Sequence, residues 1–135
     1  MIYLLDTNAC IVYLNRPISG VRRRLESLSP QDIAVCSIVK AELFYGTIRS
    51  KNPQRTLALQ LAFLNNFVSL SFDDVAATIF GQIRAELATL GTPIGPYDLQ
   101  IASIAQAHNL ILVTHNTSEF NRVNGLKIED WEEEG

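Results

Sequence analysis

The chain lacks any uninterrupted apolar run near the ~20 residues that a membrane-spanning helix needs, so no membrane association is expected. It also lacks a Gly-x-Gly-x-x-Gly turn after its first apolar segment, a Gly-Lys-Ser/Thr loop and a Gly-x-Ser-x-Gly elbow. These absences argue in turn against dinucleotide binding, P-loop nucleotide hydrolysis and the usual serine hydrolase. A phosphoacceptor signalling domain would need acids before its first acceptor strand and a late lysine, and the chain supplies neither. Cysteine is scarce. Cys10 and Cys36 have no metal-ligand spacing and read as small core residues rather than a disulfide. His108 and His115 have no Cys or His companions, which argues against zinc and leaves them as exposed or locally satisfied residues. An apolar segment begins at the second residue, leaving no basic leader or signal-peptide core, so a reducing, cytoplasmic setting is the expectation. No internal repeat or low-complexity segment is visible.

What is present is a chain of 135 residues, 47% of them hydrophobic, enough for one domain with a real core and little more. A single domain over 1–130 is expected, with residues 131–135 as an acidic, solvating tail. The net charge of −3 looks wrong for a nucleic-acid binder, but five of the 14 acids crowd the last seven residues. Without those five, 9 acids face 11 bases, so charge neither supports nor excludes an RNA substrate. The one dense basic run, Arg22-Arg23-Arg24, reads first as a solvated helix face and second as a phosphate contact.

Short apolar runs predict strands near 2–6, 32–36, 67–71, 110–114 and 126–129. Helices are predicted near 8–15, 18–28, 37–50, 54–66, 73–90 and 98–108, with a short turn of helix around 117–122; Asn52-Pro53 splits the longest helical stretch. Alternation of strand and helix points to an α/β fold with a mostly parallel sheet covered on both faces. Ser37 is a candidate N-cap, with Ile38, Ala41, Tyr45 and Ile48 as the apolar stripe of its helix.

Three carboxylates land where such a fold gathers chemistry, beyond the carboxyl ends of its strands. Asp6 ends the first strand, Glu42 follows the second, and Asp98 opens a helix after the loop Thr92-Pro93-Ile94-Gly95-Pro96. Acids converging in one crevice repel unless a cation joins them, and hard divalent cations prefer oxygen ligands. Each acid also has a plainer reading. Asp6 can cap a helix, Asp98 can cap its helix or sit in its first turn, and Glu42 can form a salt bridge with Lys40 or a distant arginine. In the loop after the fourth strand, Asn116 and Glu119 can reach a metal or its waters, although Asn116 can instead cap the short helix. Tyr13, Phe44, Tyr45 and Tyr97 read mainly as core, with Tyr97 also placed to stack on a base.

Four segments recur together in one known order. They are Leu5-Asp6-Thr7-Asn8; Ser37 through Glu42-Leu43 to Gly46; Ile83-Arg84-Ala85-Glu86-Leu87 through Gly91 to Asp98; and Leu112-Val113-Thr114 through Asn116, Phe120 and Val123 to Gly125-Leu126. As an ensemble they resemble the PIN-domain ribonucleases, most closely the toxin subunit of VapBC toxin–antitoxin pairs.

The resemblance implies a three-layer α/β/α sandwich and a Mg²⁺- or Mn²⁺-dependent endoribonuclease whose metal is held by Asp6, Glu42 and Asp98. It implies hydrolysis by metal-activated water, leaving 5′-phosphate and 3′-hydroxyl ends, on RNA substrates that include tRNA. Thr7 and Thr114 would orient ligands or waters. A cognate VapB-type antitoxin and a homodimer are the implied partners. One position departs from the pattern: many PIN domains carry a fourth aspartate where this chain has Asn116, so Glu119 is the alternative source of that charge, and one or two metals remain open. Two other readings stay in play, a catalytically weak PIN module that binds RNA or a protein, and a phosphatase or DNase using the same acids.

Overall fold

Leu4 and Leu5 are fully buried because the strand that carries them, β1 (Tyr3–Leu5), is covered on both faces, the condition under which parallel strands read as continuous apolar runs. Each such leucine contributes ~1.5–3 kcal/mol through burial. In the computed structural model, which describes residues 1–132, β1 is the middle strand of an all-parallel, five-stranded sheet. To one side lie β2 (Ile33–Cys36) and β3 (Val68–Leu70), and to the other β4 (Ile111–Val113) and β5 (Ile128–Glu129), giving the order β3-β2-β1-β4-β5. Tyr3 is in register with Ile33 on β2, and Leu5 with Val113 on β4.

The helices are α1 (Thr7–Asn15), α2 (Gly20–Glu26), α3 (Ser37–Ile48), α4 (Pro53–Leu64), α5 (Asp74–Leu90), α6 (Pro96–Ala107) and the short α7 (Thr117–Phe120), with a 3₁₀ turn at Pro30–Asp32. Helices flank the sheet to complete the expected α/β/α sandwich, and every predicted strand and helix is present to within a few residues. None of these helices, among the described residues, is long and apolar enough to cross a membrane. The chain runs from β1 outward to β2 and β3, then returns past β1 to β4 and β5. The direction reverses between β1 and β4, which opens a crevice at their carboxyl ends.

Local chemistry sets the helix ends. Asp6, Ser19, Asn52 and Asp73 each accept a backbone N–H from the first turn of the helix that follows. Gly91, at φ +71°, closes α5 in the left-handed conformation, and the next N–H, from Thr92, returns to Leu87 O at 3.0 Å. Where α3 meets α4, the buried Thr47 hydroxyl bonds to Leu43 O and to the Gln60 amide, so two buried polar groups satisfy each other.

Several expectations need correction. Cys36, not Ser37, occupies the N-cap of α3, and no side chain caps it. The buried face of α3 is Val39, Leu43 and Thr47, whereas Tyr45 and Ile48 of the predicted stripe are exposed. Tyr97 is likewise exposed, while Tyr13 stacks on Phe63 in the interior. Of the two plain readings of Asp98, the first-turn one holds and the cap does not, because Gly95-Pro96 starts α6 earlier. Arg22 is tied to the Tyr13 carbonyl and ring, and Arg24 to the Tyr3 hydroxyl and Glu129, so two members of the basic run serve the fold. Trp131, placed by sequence in the tail, is buried edge-on against Tyr3. The rest of the predicted tail, 133–135, lies outside the described residues.

Candidate active site

Asp6 leaves β1 with its N–H bonded to Val113 O of β4 at 3.1 Å, which fixes it where the sheet reverses direction. Its Oδ1 accepts the Ala9 N–H at 2.8 Å, capping α1, and the Thr114 side chain, just beyond β4, is a further hydrogen-bond partner. Burial pushes the carboxyl up to about 6; those two hydrogen bonds oppose the rise, and the nearby charges of Glu132 and Glu42 add to it.

Glu42 projects from α3 beside its buried face, and its Oε1 accepts the Thr7 hydroxyl at 2.6 Å. That bond ties the first residue of α1 to α3. The salt bridge with Lys40 or an arginine is not formed: among the described residues no basic side chain pairs with Glu42, Asp6, Asp98 or Glu119.

Asp98 is half-buried, and its carboxyl is pushed up to about 7, first by burial, then by the charge of Glu119 and a hydrogen bond with it, then by Glu42 and Asp6. Asp98 and Glu119 thus form a pair of neighbouring acids. Asn116 holds the far member, its Nδ2 donating to Glu119 Oε2 at 2.7 Å. Its own N–H donates to Thr114 Oγ1 at 3.0 Å. Asn116 occupies the cap position of α7 without making a side-chain capping bond.

Asp6, Thr7, Asn8, Glu42, Asp98 and Asn116 line one crevice of about 330 Å³, with Ile11 and Phe120 completing its wall. The residues proposed from sequence therefore meet at the carboxyl end of the sheet, with Glu119 and Thr114 joined to them by the bonds just given. The donor set is all oxygen and dominated by carboxylates, which fits a hard divalent cation. The acids are not drawn tightly together: among the described residues, three potential ligand atoms come within 4.8 Å of one another only at His115, Asp130 and Glu132. Alongside the crevice runs a larger, mainly apolar groove of about 570 Å³ between α1, α3 and α4, lined by Tyr13, Leu43, Leu59 and Phe63 and sharing Ile11 and Glu42 with it.

Glu132 is the residue that the sequence reading missed. The sequence places it in the solvated tail, yet its charge acts on Asp6 ahead of that of Glu42. No local pattern signals it: Val113 in register with Glu129 carries the residues after each strand toward the same end of the sheet, an adjacency that only the fold supplies.

Comparison with known proteins gives a consistent picture. Residues 3–126 match the PIN domain family. The chain is 44% identical over 129 residues to the tRNA(fMet)-specific endonuclease VapC of Shigella flexneri, covering 96% of this chain and 97% of that protein. It is 39% identical over 133 residues to ribonuclease VapC2 of Rickettsia felis, covering 98% and 99%. Among solved structures, DNA-bound VapBC from Salmonella typhimurium superposes with a TM-score of 0.92 at 41% identity, over 97% of this chain and 98% of that one.

Proposed function

This chain belongs to the PIN-domain family, and from that premise we propose that it is the endoribonuclease toxin of a VapBC-type toxin–antitoxin pair, with Asp6, Glu42 and Asp98 as its principal catalytic and metal-holding residues. The observation that carries this reading is the meeting of those three carboxylates, from three separate elements, in one crevice with Glu119 bonded to Asp98. A module that only bound RNA would have no use for their mutual repulsion.

Asp6, Glu42 and Asp98 would hold Mg²⁺ or Mn²⁺, directly or through waters, and Glu119 would supply the charge that a fourth aspartate gives elsewhere. When bound, the cation neutralises charge at the scissile phosphate and acidifies water at neutral pH. The residues themselves position these parts. Thr7 keeps the Glu42 carboxylate turned into the crevice, Thr114 and the Ala9 N–H fix Asp6, and Asn116 holds Glu119 against Asp98. A cation held there would compete with protons for the raised Asp98 carboxyl, because a lone pair serves one or the other. Attack by water needs no ribose 2′-hydroxyl, so the products carry 5′-phosphate and 3′-hydroxyl ends.

The high identity to a tRNA(fMet)-specific endonuclease supports tRNA as the substrate class. The VapBC complexes among the structural relatives support a VapB-type antitoxin, and the apolar groove beside Glu42 is the surface we assign to it. The exposed Tyr45, Ile48 and Tyr97 give a homodimer an apolar face. Two buried free thiols fit a cytoplasmic setting.

Incubation of the purified toxin with tRNA, in chelator and then with Mg²⁺, Mn²⁺ or Ca²⁺ restored, tests the proposal. Cleavage should stop in chelator, return with Mg²⁺ or Mn²⁺ and return poorly with Ca²⁺, whose looser shell suits in-line geometry less well. Full activity in chelator, or 3′-phosphate products, would overturn it.

A further inference from the structure

Where the edge strand β5 lies beside β4, the residue after Thr114 meets the residues after β5. His115 Nδ1 lies 2.9 Å from Asp130 Oδ2 and 3.8 Å from Glu132 Oε2. The three ligand atoms fall within 4.8 Å of one another, the spread of donors around a single ion. We infer that His115, Asp130 and Glu132 form a second divalent-cation site, distinct from the crevice and selective for borderline ions such as Ni²⁺, Co²⁺ or Zn²⁺.

The donor set distinguishes this group from an ordinary cluster of surface acids. One imidazole nitrogen and two carboxylates suit borderline transition metals, whereas the all-oxygen crevice suits harder Mg²⁺ or Mn²⁺. The Asp130 side chain is only 7% exposed, so little water competes for its carboxylate. The group is also held in place. Asp130 Oδ1 accepts the Glu132 N–H at 2.9 Å, which turns Oδ2 toward His115. Thr114 N–H bonds Glu129 O at 2.9 Å, locking the two segments together one residue earlier. Trp131, between the two carboxylates, is buried against Tyr3 and donates to Glu129 Oε1 at 3.0 Å. Imidazolium could satisfy Asp130 by itself, but at 3.8 Å Glu132 lies beyond hydrogen-bond reach of the same nitrogen, a spacing that a shared ion bridges. An ion here would also offset Glu132, one of the charges acting on Asp6.

Trp131 is the only tryptophan in the chain and serves as a built-in reporter. The full-length protein should be titrated with Ni²⁺, which quenches nearby indole emission, alongside an Asp6→Asn/Asp98→Asn double variant that disables the crevice. Saturable quenching is expected in both, weakened ~10-fold or more in apparent affinity by His115→Ala and by Asp130→Asn. Asp130→Asn keeps the oxygen that accepts the Glu132 N–H, and far-UV circular dichroism checks that both variants fold. No saturable quenching, or quenching unchanged in His115→Ala, would show an imidazolium–carboxylate pair only and overturn the site. Quenching lost only in the crevice double variant would place the ion at the nuclease centre and overturn it equally.

Discussion

Asp6 and Asp98 enter the same crevice from opposite sides, both with carboxyls raised above the ordinary range, yet they are held there by different means. Asp6 belongs to the framework. It follows the central strand, caps α1 and accepts two hydrogen bonds that work against its burial. Asp98 is only half-buried, has no capping role, and is raised further by the charge of Glu119 and a hydrogen bond with it. The strand side of the site is therefore governed by folding, and the α6–α7 side by electrostatics. The difference predicts that similar substitutions on the two sides will have dissimilar consequences.

The largest contrast comes from removing each acid. Asp6→Asn and Asp98→Asn should both reduce tRNA cleavage to the blank. Asp6→Ala should lose the cap as well and melt below Asp6→Asn by ~1 kcal/mol in unfolding free energy. Asp98→Ala and Asp98→Asn should differ far less, since neither loses a cap. Chemical denaturation of the four variants measures this directly, and equal spacing within the two pairs would erase the distinction between the sides.

A smaller effect should appear in pH dependence without metal. Both acids bind protons more tightly folded, at about 6 and about 7, than in an unfolded chain at about 3.9. Their stabilising contribution is thus complete below pH ~4 and is lost as pH rises through the folded values. In chelator, the melting temperature of Asp98→Asn relative to wild type should climb between pH 4 and 7, with Asp6→Asn completing its climb about one pH unit sooner. Added Mn²⁺ at pH 7.5 should stabilise the wild type more than either variant. A wild-type minus variant difference that stays flat across this range would remove the acid concerned from the repelling set.

The smallest effect concerns the hand that holds Glu119. Asn116→Ala should slow cleavage ~10 to 100-fold without eliminating it, as expected for an outer supporting ligand. Glu119→Gln should raise the metal concentration needed for half-activity more than it lowers the rate at saturation. Adding charge as Asn116→Asp should not mimic a better metal site, because it removes the donor to Glu119 and sets a second anion against it. Metal-titration kinetics on the three variants decide this, and an inert Glu119→Gln would leave a site of three carboxylates.

Much of the fold was legible because its strands are short, apolar and punctuated, and because Asp6, Glu42 and Asp98 each follow such punctuation. The face of α3 was not legible, since this helix is apolar on two sides and periodicity cannot say which one packs. Thr47 is buried only because Gln60, on another helix, completes its hydrogen bonding. Asp98 as a cap was the natural reading until Gly95-Pro96 proved to begin the helix before it. Trp131 was hidden by its acidic neighbours, and the contact of His115 with Asp130 depends on β5 lying beside β4, a spatial adjacency that no local pattern encodes.

The strand order also sets a timetable for synthesis. Leu5 pairs with Val113, so one flank of the central strand stays open until β4 has left the ribosome. Asp6 waits for its Thr114 partner until the same moment, and Asp98 for Glu119. A nascent chain that already carries Asp6 and Glu42 consequently still lacks the β4 flank, Asp98 and Asn116, which complete the crevice. The crevice proposed as the nuclease centre is therefore among the last parts of the molecule to be assembled.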